Sequence, residues 1–433
     1  MKIRGIFLDR EKNTDRSLTI VLPTPERVAV PIPAGCKASV KMGQWVLRGN
    51  SICEGEKAAH ASVSGKVEEI KTIEGPDGSY EAVVIKADEN QKDAAVRVPR
   101  AEDRESFIAA VKASGSPAGD KLEKAKDADV LIINGIESEQ YLTAENRCML
   151  DDGDLIAAGI ALIEKLMGIS SGLAVTEKLT GIEKTYIAVA SDCTEAFAAM
   201  EKVAAKAPKT TVVKLRCDHP GGSDLMLVSN VTDRNIKPTE TAADKKVLVL
   251  LPSEVAFIAS YFETGMPFVE RRVTVDGDLV KTPCIMKAPI GTPLSALLAY
   301  ADANTDPAEK LIIGGMMTGK SVTDLELPLG AEDSAVLIFM KPIDSGKGTL
   351  KVSEKTTNCI KCGRCAQACP AKLMPMRIEK ALRKRNSAAL KRLRPDLCIG
   401  CGSCTYVCPA KRELNEVMRQ AAEVFGGMGG EQS

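Results

Sequence analysis

Short apolar runs separated by turn-forming residues fill about the first 95 positions of the chain. They predict strands at residues 18–22, 28–33, 43–47, 63–67 and 82–85. Runs of this length, bounded by Gly, Pro or charged residues, are typical of β-strands. The pattern therefore predicts a small all-β unit.

Helical and strand patterns alternate between about residues 100 and 240. Residues 105–113 and 154–167 have helical stretches, and the apolar runs at 130–133, 186–189 and 211–213 predict strands. Strands that alternate with helices indicate an α/β sheet.

Residues 246–340 mix the two patterns. Apolar runs predict strands at residues 247–251, 272–281, 311–313 and 336–339. With one helical stretch at about 254–264, the segment is expected to form a mixed α+β unit. The polar stretch Ser345-Gly-Lys-Gly348 predicts a linker.

The chain therefore divides into four predicted units, at residues 1–98, 99–243, 244–344 and 345–433. A length of 433 residues agrees with three or four domains, since one domain takes roughly 150 residues.

Composition excludes several classes of function. Lys and Arg number 58 against 58 Asp and Glu, and aromatic residues make up 3%, which argues against a nucleic-acid binder. Only two histidines are present, so a multi-histidine metal centre is excluded. No apolar run is long enough for a signal peptide or an integral membrane segment. We expect a cytoplasmic protein, with peripheral membrane association left open, whose 14 cysteines act as metal ligands or redox groups before disulfides.

Two cysteine runs decide the predicted chemistry. They read Cys359-Ile-Lys-Cys362-Gly-Arg-Cys365-Ala-Gln-Ala-Cys369-Pro370 and Cys398-Ile-Gly-Cys401-Gly-Ser-Cys404-Thr-Tyr-Val-Cys408-Pro409. The spacing C-x2-C-x2-C-x3-C-P is that of two-cluster ferredoxins, in which the fourth Cys of each run ligates the other cluster. We predict one [4Fe–4S] cluster on Cys359, Cys362, Cys365 and Cys408, and a second on Cys398, Cys401, Cys404 and Cys369.

Paired structural zinc sites are the alternative, because C-x2-C repeats also hold zinc. Two complete runs of this form favour iron–sulfur clusters. Two clusters in one module predict a relay of single electrons.

A basic helical insert at residues 374–394 separates the runs. It carries Arg377, Lys380, Arg383, Lys384, Arg385, Lys391, Arg392 and Arg394. One interpretation is a docking face for an acidic redox partner such as ferredoxin or flavodoxin. The other is a solvated face that offsets the negative charge of the clusters.

With these motifs the sequence resembles the RnfC family, whose members belong to the ion-pumping Rnf electron-transport complex. The cysteine runs resemble its dicluster region, and Val40-Lys-Met-Gly-Gln-Trp-Val-Leu-Arg-Gly49 with His60-Ala-Ser-Val-Ser-Gly65 resembles its barrel-sandwich domain, which is related to biotinyl and lipoyl carriers. Leu131-Ile-Ile-Asn-Gly135 and Tyr141-Leu-Thr-Ala-Glu-Asn-Arg147 resemble the Rossmann-like flavin- and NADH-binding domain shared with the FMN subunit of respiratory complex I. Val273-Thr-Val-Asp-Gly-Asp-Leu-Val280 and Gly314-Gly-Met-Met-Thr-Gly319 resemble the soluble-ligand-binding (SLBB) β-grasp domain.

The flavin motifs of the family are degenerate here. Its Gly-Gly-Ala-Gly-Phe-Pro-Thr loop corresponds to Ala113-Ser-Gly-Ser-Pro-Ala-Gly-Asp120, and its Glu-Cys-Glu-Pro to Glu137-Ser-Glu-Gln140. The Tyr-Pro-Gln-Gly-Gly-Glu-Lys stretch has become His219-Pro-Gly-Gly-Ser-Asp-Leu225. We favour an inherited scaffold over a working FMN and NADH site.

The sequence thus predicts an electron carrier for a partner reductase of anaerobic metabolism, such as the RnfC-like proteins that accompany D-proline reductase. The rival is an NADH-oxidising FMN enzyme, and a third hypothesis is a structural adaptor or ligand sensor. Lys57 lies where carriers attach biotin or lipoate but lacks the flanking motif, so an ordinary surface lysine is favoured. Cys36 and Cys53 are candidate redox thiols, although small buried side chains are the commoner role for cysteine.

Overall fold

The computed structural model describes residues 3–168, 181–306, 308–340 and 356–429. The predicted linker at 345–348 lies outside these residues. The multidomain α/β prediction is confirmed, with mixed sheets and a helical unit at the carboxyl end.

The first unit is built from short strands. Its strands are β1 (Thr19–Val21), β2 (Arg27–Pro31), β3 (Lys37–Ala38), β4 (Trp45–Val46), β5 (Cys53–Glu54), β6 (Gly65–Gly75) and β7 (Gly78–Ala87). One sheet has the order β2-β7-β6-β4, and β3 pairs with β5 in a second. Val28, Val67 and Ile85 bury their β-branched side chains in the core between these strands.

The second unit alternates helices and strands. Its elements are α1 (Arg104–Ala113), α2 (Ala118–Lys124), β8 (Val130–Gly135), α3 (Ala144–Asp151), α4 (Gly153–Leu166), β9 (Lys184–Ala190), α5 (Thr194–Ala205), β10 (Thr210–Leu215), α6 (Asp224–Val231), β11 (Val247–Leu250) and α7 (Pro252–Thr264). The sheet is parallel throughout, in the order β10-β9-β8-β11. Helices cover its central strands, so β8 and β11 are apolar on both faces.

The third unit has a sheet around one helix. Its elements are β12 (Glu270–Asp276), β13 (Cys284–Pro289), α8 (Leu294–Tyr300), β14 (Ala308–Ile313), β15 (Lys320–Val322) and β16 (Ala335–Met340). The first and last strands of the unit, β12 and β16, lie side by side and parallel, while β13 and β14 flank them antiparallel. This is the β-grasp arrangement that the resemblance implies.

Two predicted boundaries are wrong. β1 pairs with β13 of the third unit rather than with the strands that follow it. β11 pairs with β8, and α7 packs on α4, so residues 247–264 belong to the α/β unit rather than to the mixed unit predicted from residue 244. Both segments have the strand or helix pattern that the sequence predicts, but their partners are distant in the chain.

The fourth unit is helical over the described residues 356–429. Its helices are α9 (Arg364–Gln367), α10 (Pro375–Arg383), α11 (Ser387–Leu393), α12 (Ser403–Tyr406) and α13 (Leu414–Gly429). Ile378, Leu390 and Met418 form its small core together with several cysteines. The cysteines therefore replace part of the apolar core that a unit of this size needs.

Candidate iron–sulfur centre

The two cysteine runs fold into the same local shape. In each, the residue before the second Cys has a left-handed backbone, with φ of 59° at Lys361 and 68° at Gly400. Gly363 and Gly402, at φ of 78° and 73°, then precede the short helices α9 and α12. A left-handed residue with a side chain costs roughly 1–2 kcal/mol, so Lys361 is held in this turn by its surroundings.

The cysteines of the two runs cross between two cavities. The first cavity is lined by Cys359, Cys362, Cys365 and Cys408, which we call the first thiol group. The second is lined by Cys369, Cys398, Cys401 and Cys404, which we call the second thiol group. Each group takes three thiols from one run and the last thiol of the other. The structure thus brings together all eight residues that the sequence singles out.

Four thiols around one cavity form a donor set that suits a [4Fe–4S] cluster. Across the described residues, no three His, Cys, Asp or Glu side chains are arranged to hold a metal ion. A zinc ion would require all its thiolates at about 2.3 Å from one centre, whereas a cubane binds each thiolate through a different iron. The arrangement of the thiols therefore favours clusters over the zinc alternative.

Burial keeps several of these thiols protonated in the absence of metal. It raises the pKa of Cys404 to about 12, and the neighbouring thiols of Cys398 and Cys401 add to that effect. Burial also raises the pKa values of Cys365 and Cys369. A metal deprotonates a coordinating thiol outright, so cluster assembly is expected to release protons.

Backbone amides point at one sulfur of the first group and two of the second. The donors are Lys361 N–H to Cys359 Sγ at 3.4 Å, Gly400 N–H to Cys398 Sγ at 3.5 Å and Leu373 N–H to Cys369 Sγ at 3.3 Å. Hydrogen bonds to the sulfurs are one of the factors that set cluster potentials.

The first thiol group lies at the surface. Cys359 and Cys362 are exposed, and the side chain of Ile360 between them is 66% exposed. This edge of the molecule is accessible to another protein.

A buried ion pair lies behind the first group. Arg412 and Glu379 line the same cavity, and Arg412 Nε donates to Glu379 Oε2 at 3.0 Å. Glu379 raises the pKa of Arg412, and the thiols of Cys359 and Cys408 act in the same direction. Sequence reasoning missed this pair, although Glu379 is the only acidic residue within the basic insert.

The second thiol group faces the other units. His219 Nε2 lies 2.6 Å from the carbonyl oxygen of Cys401 and therefore donates to it, and a Cβ added at Gly402 would lie 3.0 Å from the carbonyl oxygen of Met317 in the third unit. Ile399 packs against the core below the α/β sheet. Sequence reasoning placed His219 only in a turn and missed this contact.

Three family models match the chain. They are described as "RnfC Barrel sandwich hybrid domain" over residues 2–90, "Nuo51 FMN-binding domain" over 104–177 and 169–253, and "4Fe-4S dicluster domain" over 358–411. Their order along the chain is that of the predicted units.

The RnfC-type component of the proton-translocating ferredoxin:NAD(+) oxidoreductase complex of Clostridium ljungdahlii is 29% identical over 391 residues, which covers 85% of this chain and 81% of that protein. The chain belongs to the RnfC-like family. The corresponding component of the Na(+)-translocating complex of Acetobacterium woodii is also 29% identical, and the match covers 82% of the RnfC-like chain and 81% of that relative. An NAD+-reducing [NiFe]-hydrogenase crystallised in the H2-reduced state is similar at a TM-score of 0.49 and 16% identity, over 75% of the RnfC-like chain and 63% of the hydrogenase chain.

The segments of the RnfC-like chain that resemble flavin motifs bond to the protein itself. The two carboxylate oxygens of Glu137 accept from the backbone N–H groups of Glu145 and Asn146 at 3.0 and 2.9 Å. Lys12 Nζ donates to the carbonyl oxygen of Glu137 at 2.8 Å. The backbone of Ser114, in the segment that corresponds to the flavin loop, accepts from Phe268 N–H at 2.9 Å. These polar groups are used within the fold, which favours the scaffold interpretation.

Lys57 is exposed, and its amine pairs with Asp120 Oδ2 at 2.7 Å. The pair joins the barrel-sandwich unit of the RnfC-like chain to the α/β unit. This ion pair supports the interpretation of Lys57 as a surface lysine rather than a cofactor attachment point.

A membrane-crossing helix was also sought. No helix within residues 3–168, 181–306, 308–340 and 356–429 has the length and apolar character to span a bilayer.

Proposed function

We propose that this RnfC-like chain relays single electrons through two [4Fe–4S] clusters to or from a partner protein. The observation that carries the proposal is the crossing of eight thiols into two groups of four. Bound clusters supply one-electron chemistry. The chain's own residues hold them, shield one from solvent and donate hydrogen bonds to their sulfurs.

The surroundings of the two groups suggest a direction for the relay. The first group is exposed at Cys359 and Cys362, whereas the second lies against His219 and the α/β unit. An exposed end suits electron exchange with a partner, and an enclosed end suits transfer within an assembly. We infer that the partner docks over Cys359 and Cys362.

A basic patch flanks this module. It consists of the exposed side chains of Arg377, Lys380, Arg383, Lys384, Arg385, Lys391, Arg392 and Arg394. Within the described part of the chain, ion pairs engage Arg383 with Glu379 and Arg394 with Asp396. The remaining positive charges suit an acidic redox protein, such as a ferredoxin, a flavodoxin or an acidic face of a reductase, whose approach they would steer.

Charge reversal in the basic patch tests the docking interpretation. The double variant Lys384→Glu/Lys391→Glu is expected to slow electron exchange with reduced ferredoxin about tenfold at low salt, with the difference shrinking at high salt because ions screen the attraction. Stopped-flow spectroscopy measures the rate. Lys66→Glu/Lys71→Glu on β6 makes the same change in net charge on another unit and serves as the control. Equal rates for the two variants would favour the solvated-face interpretation.

Assay of an anaerobically purified sample for iron, sulfide, zinc and flavin tests the proposal itself. About eight irons and eight sulfides per chain are expected, four for each cluster. Zinc in their place would overturn the proposal. Reduction of the clusters by a partner separates an electron carrier from a structural adaptor, whose clusters would not turn over.

An NADH-oxidising FMN enzyme is the second candidate. The match of the "Nuo51 FMN-binding domain" model to residues 104–177 and 169–253 favours it, while the internal bonding of Glu137 and Ser114 opposes it. One FMN per chain, retained without added cofactor, together with cluster reduction by NADH, would establish this rival.

We further propose a cytoplasmic setting, in which the chain serves a partner reductase of anaerobic metabolism. The relatives bear names of ferredoxin:NAD(+) oxidoreductase complexes, which supports electron transfer between proteins. Co-purification with a reductase from an anaerobically grown source is expected. Recovery with membrane subunits instead would assign the chain to a membrane complex.

A further inference from the structure

Two cysteines of the barrel-sandwich unit lie together, apart from both thiol groups. Cys36 immediately precedes β3, and Cys53 begins β5. The strands pair antiparallel with Ala38 opposite Cys53. Because side chains two apart on a strand share a face, Cys36 lies diagonally across from Cys53 on the same face of the pair.

The contacts of the two sulfurs show how near they are. Cys36 Sγ and Cys53 Sγ both donate to the carbonyl oxygen of Lys57, at 3.4 and 3.6 Å. Gly55 makes room for this arrangement, since a Cβ at that position would lie 2.5 Å from Cys36 Sγ. The two thiols thus meet at a single acceptor, and the residue opposite Cys36 is one that leaves space.

The surroundings of the two thiols differ. Cys36 is half-exposed, whereas Cys53 is 7% exposed. The backbone N–H of Ala59 donates to Cys53 Sγ at 3.1 Å, and the Lys57 ammonium lies close enough to Cys36 for the two groups to interact electrostatically. Accessible thiols beside a positive charge are the reactive ones, so Cys36 suits initial attack and Cys53 suits resolution.

We propose that Cys36 and Cys53 form a redox-active dithiol that reduces a disulfide substrate. The Cys36 thiolate attacks one sulfur of the substrate, a mixed disulfide forms and the first substrate thiol leaves. The Cys53 thiolate then attacks Cys36 Sγ, which forms the Cys36–Cys53 disulfide and releases the second substrate thiol. Two electrons and two protons pass from the cysteine pair to the substrate.

The location of the dithiol gives it a setting within the fold. The hairpin that follows Cys53 packs on the segment that corresponds to the flavin loop, through the Lys57–Asp120 ion pair and through His60, whose Nε2 lies 2.9 Å from the carbonyl oxygen of Ala113. A cysteine pair in a reducing compartment is more often catalytic or redox-sensing than structural. The chain would thus carry a two-electron group besides its one-electron clusters.

Reaction of the anaerobically purified, cluster-loaded chain with disulfides tests the proposal. Glutathione disulfide and oxidised thioredoxin are supplied in separate samples, and peptides are mapped by mass spectrometry without reduction. A Cys36–Cys53 disulfide is expected, with two substrate thiols released per chain and unchanged iron content. Reaction with glutathione disulfide alone would indicate a small-molecule substrate, and reaction with thioredoxin alone a protein substrate.

Variants separate the two roles. Cys53→Ser is expected to trap a mixed disulfide on Cys36, and Cys36→Ser to react at least about tenfold more slowly. Cys217→Ser changes a half-buried thiol in another unit and is the matched control, with the behaviour of the unchanged chain. The proposal is overturned if neither disulfide yields the Cys36–Cys53 bond, or if Cys36→Ser reacts as fast as the control.

Discussion

Changing Cys408 to alanine is expected to remove the iron held by the first thiol group, about four atoms per chain, and to leave the second group loaded. Cys408 belongs to the second run in sequence but lines the cavity of Cys359, Cys362 and Cys365. A cubane with one thiolate missing exposes an iron to solvent at a site that is already at the surface. Iron assay of anaerobically prepared protein measures the loss.

Double variants show which thiols share a cluster. Cys359→Ala/Cys408→Ala is expected to hold as much iron as either single variant, because both changes affect one group. Cys401→Ala/Cys408→Ala is expected to hold almost none, because it affects both. Cys369→Ala is the mirror control and should deplete the second group. If Cys401→Ala/Cys408→Ala keeps about four irons, the crossed assignment is wrong.

The sequence predicted the cysteine chemistry well because the spacing of a cluster motif is local. Three thiols within seven residues can reach one cavity only if the backbone turns sharply, and Gly363, Gly400 and Gly402 supply left-handed positions for that turn. Lys361 holds the same conformation without being glycine, and nothing in the sequence indicated it. The ligand assignments remain predictions for the variants above to test.

Assignment of strands to sheets was harder to predict. The apolar run that contains β1 matches a strand in any sheet, and its pairing with β13 bridges more than 260 residues. The same holds for β11, which joins β8 across α3 to α6. Hydrophobic periodicity reports which face of an element is buried but not which partner buries it.

Contacts between units were equally hidden from the sequence. His219 was predicted only as part of a turn, yet it donates to the backbone of Cys401. A contact between residues 182 positions apart has no local pattern. The resemblance to a flavin-binding family placed this segment near a cofactor, and the structure instead places it against the second thiol group.

Changing Glu379 to alanine is expected to destabilise the carboxyl-terminal unit by about 3 kcal/mol. Glu379 and Arg412 are each only 8% exposed, so loss of the carboxylate leaves a buried guanidinium without its partner. Arg412 also donates to the carbonyl oxygen of Thr357 at 2.9 Å, which ties the start of the unit to its core. Because this pair lies behind the first thiol group, iron should pass from that group to a chelator on the order of 100-fold faster, the factor that about 3 kcal/mol corresponds to.

An exposed pair of the same unit provides the control. Glu416 and Arg419 are 44% and 60% exposed, so Glu416→Ala is expected to change stability by less than about 1 kcal/mol. The double variant Glu379→Leu/Arg412→Met removes both buried charges and should recover most of the loss, since apolar replacements of a buried pair are often neutral or stabilising. If Glu379→Ala releases iron no faster than Glu416→Ala, the buried pair does not stabilise the first thiol group. If the double variant is as unstable as Glu379→Ala, the loss comes from packing rather than from an uncompensated charge.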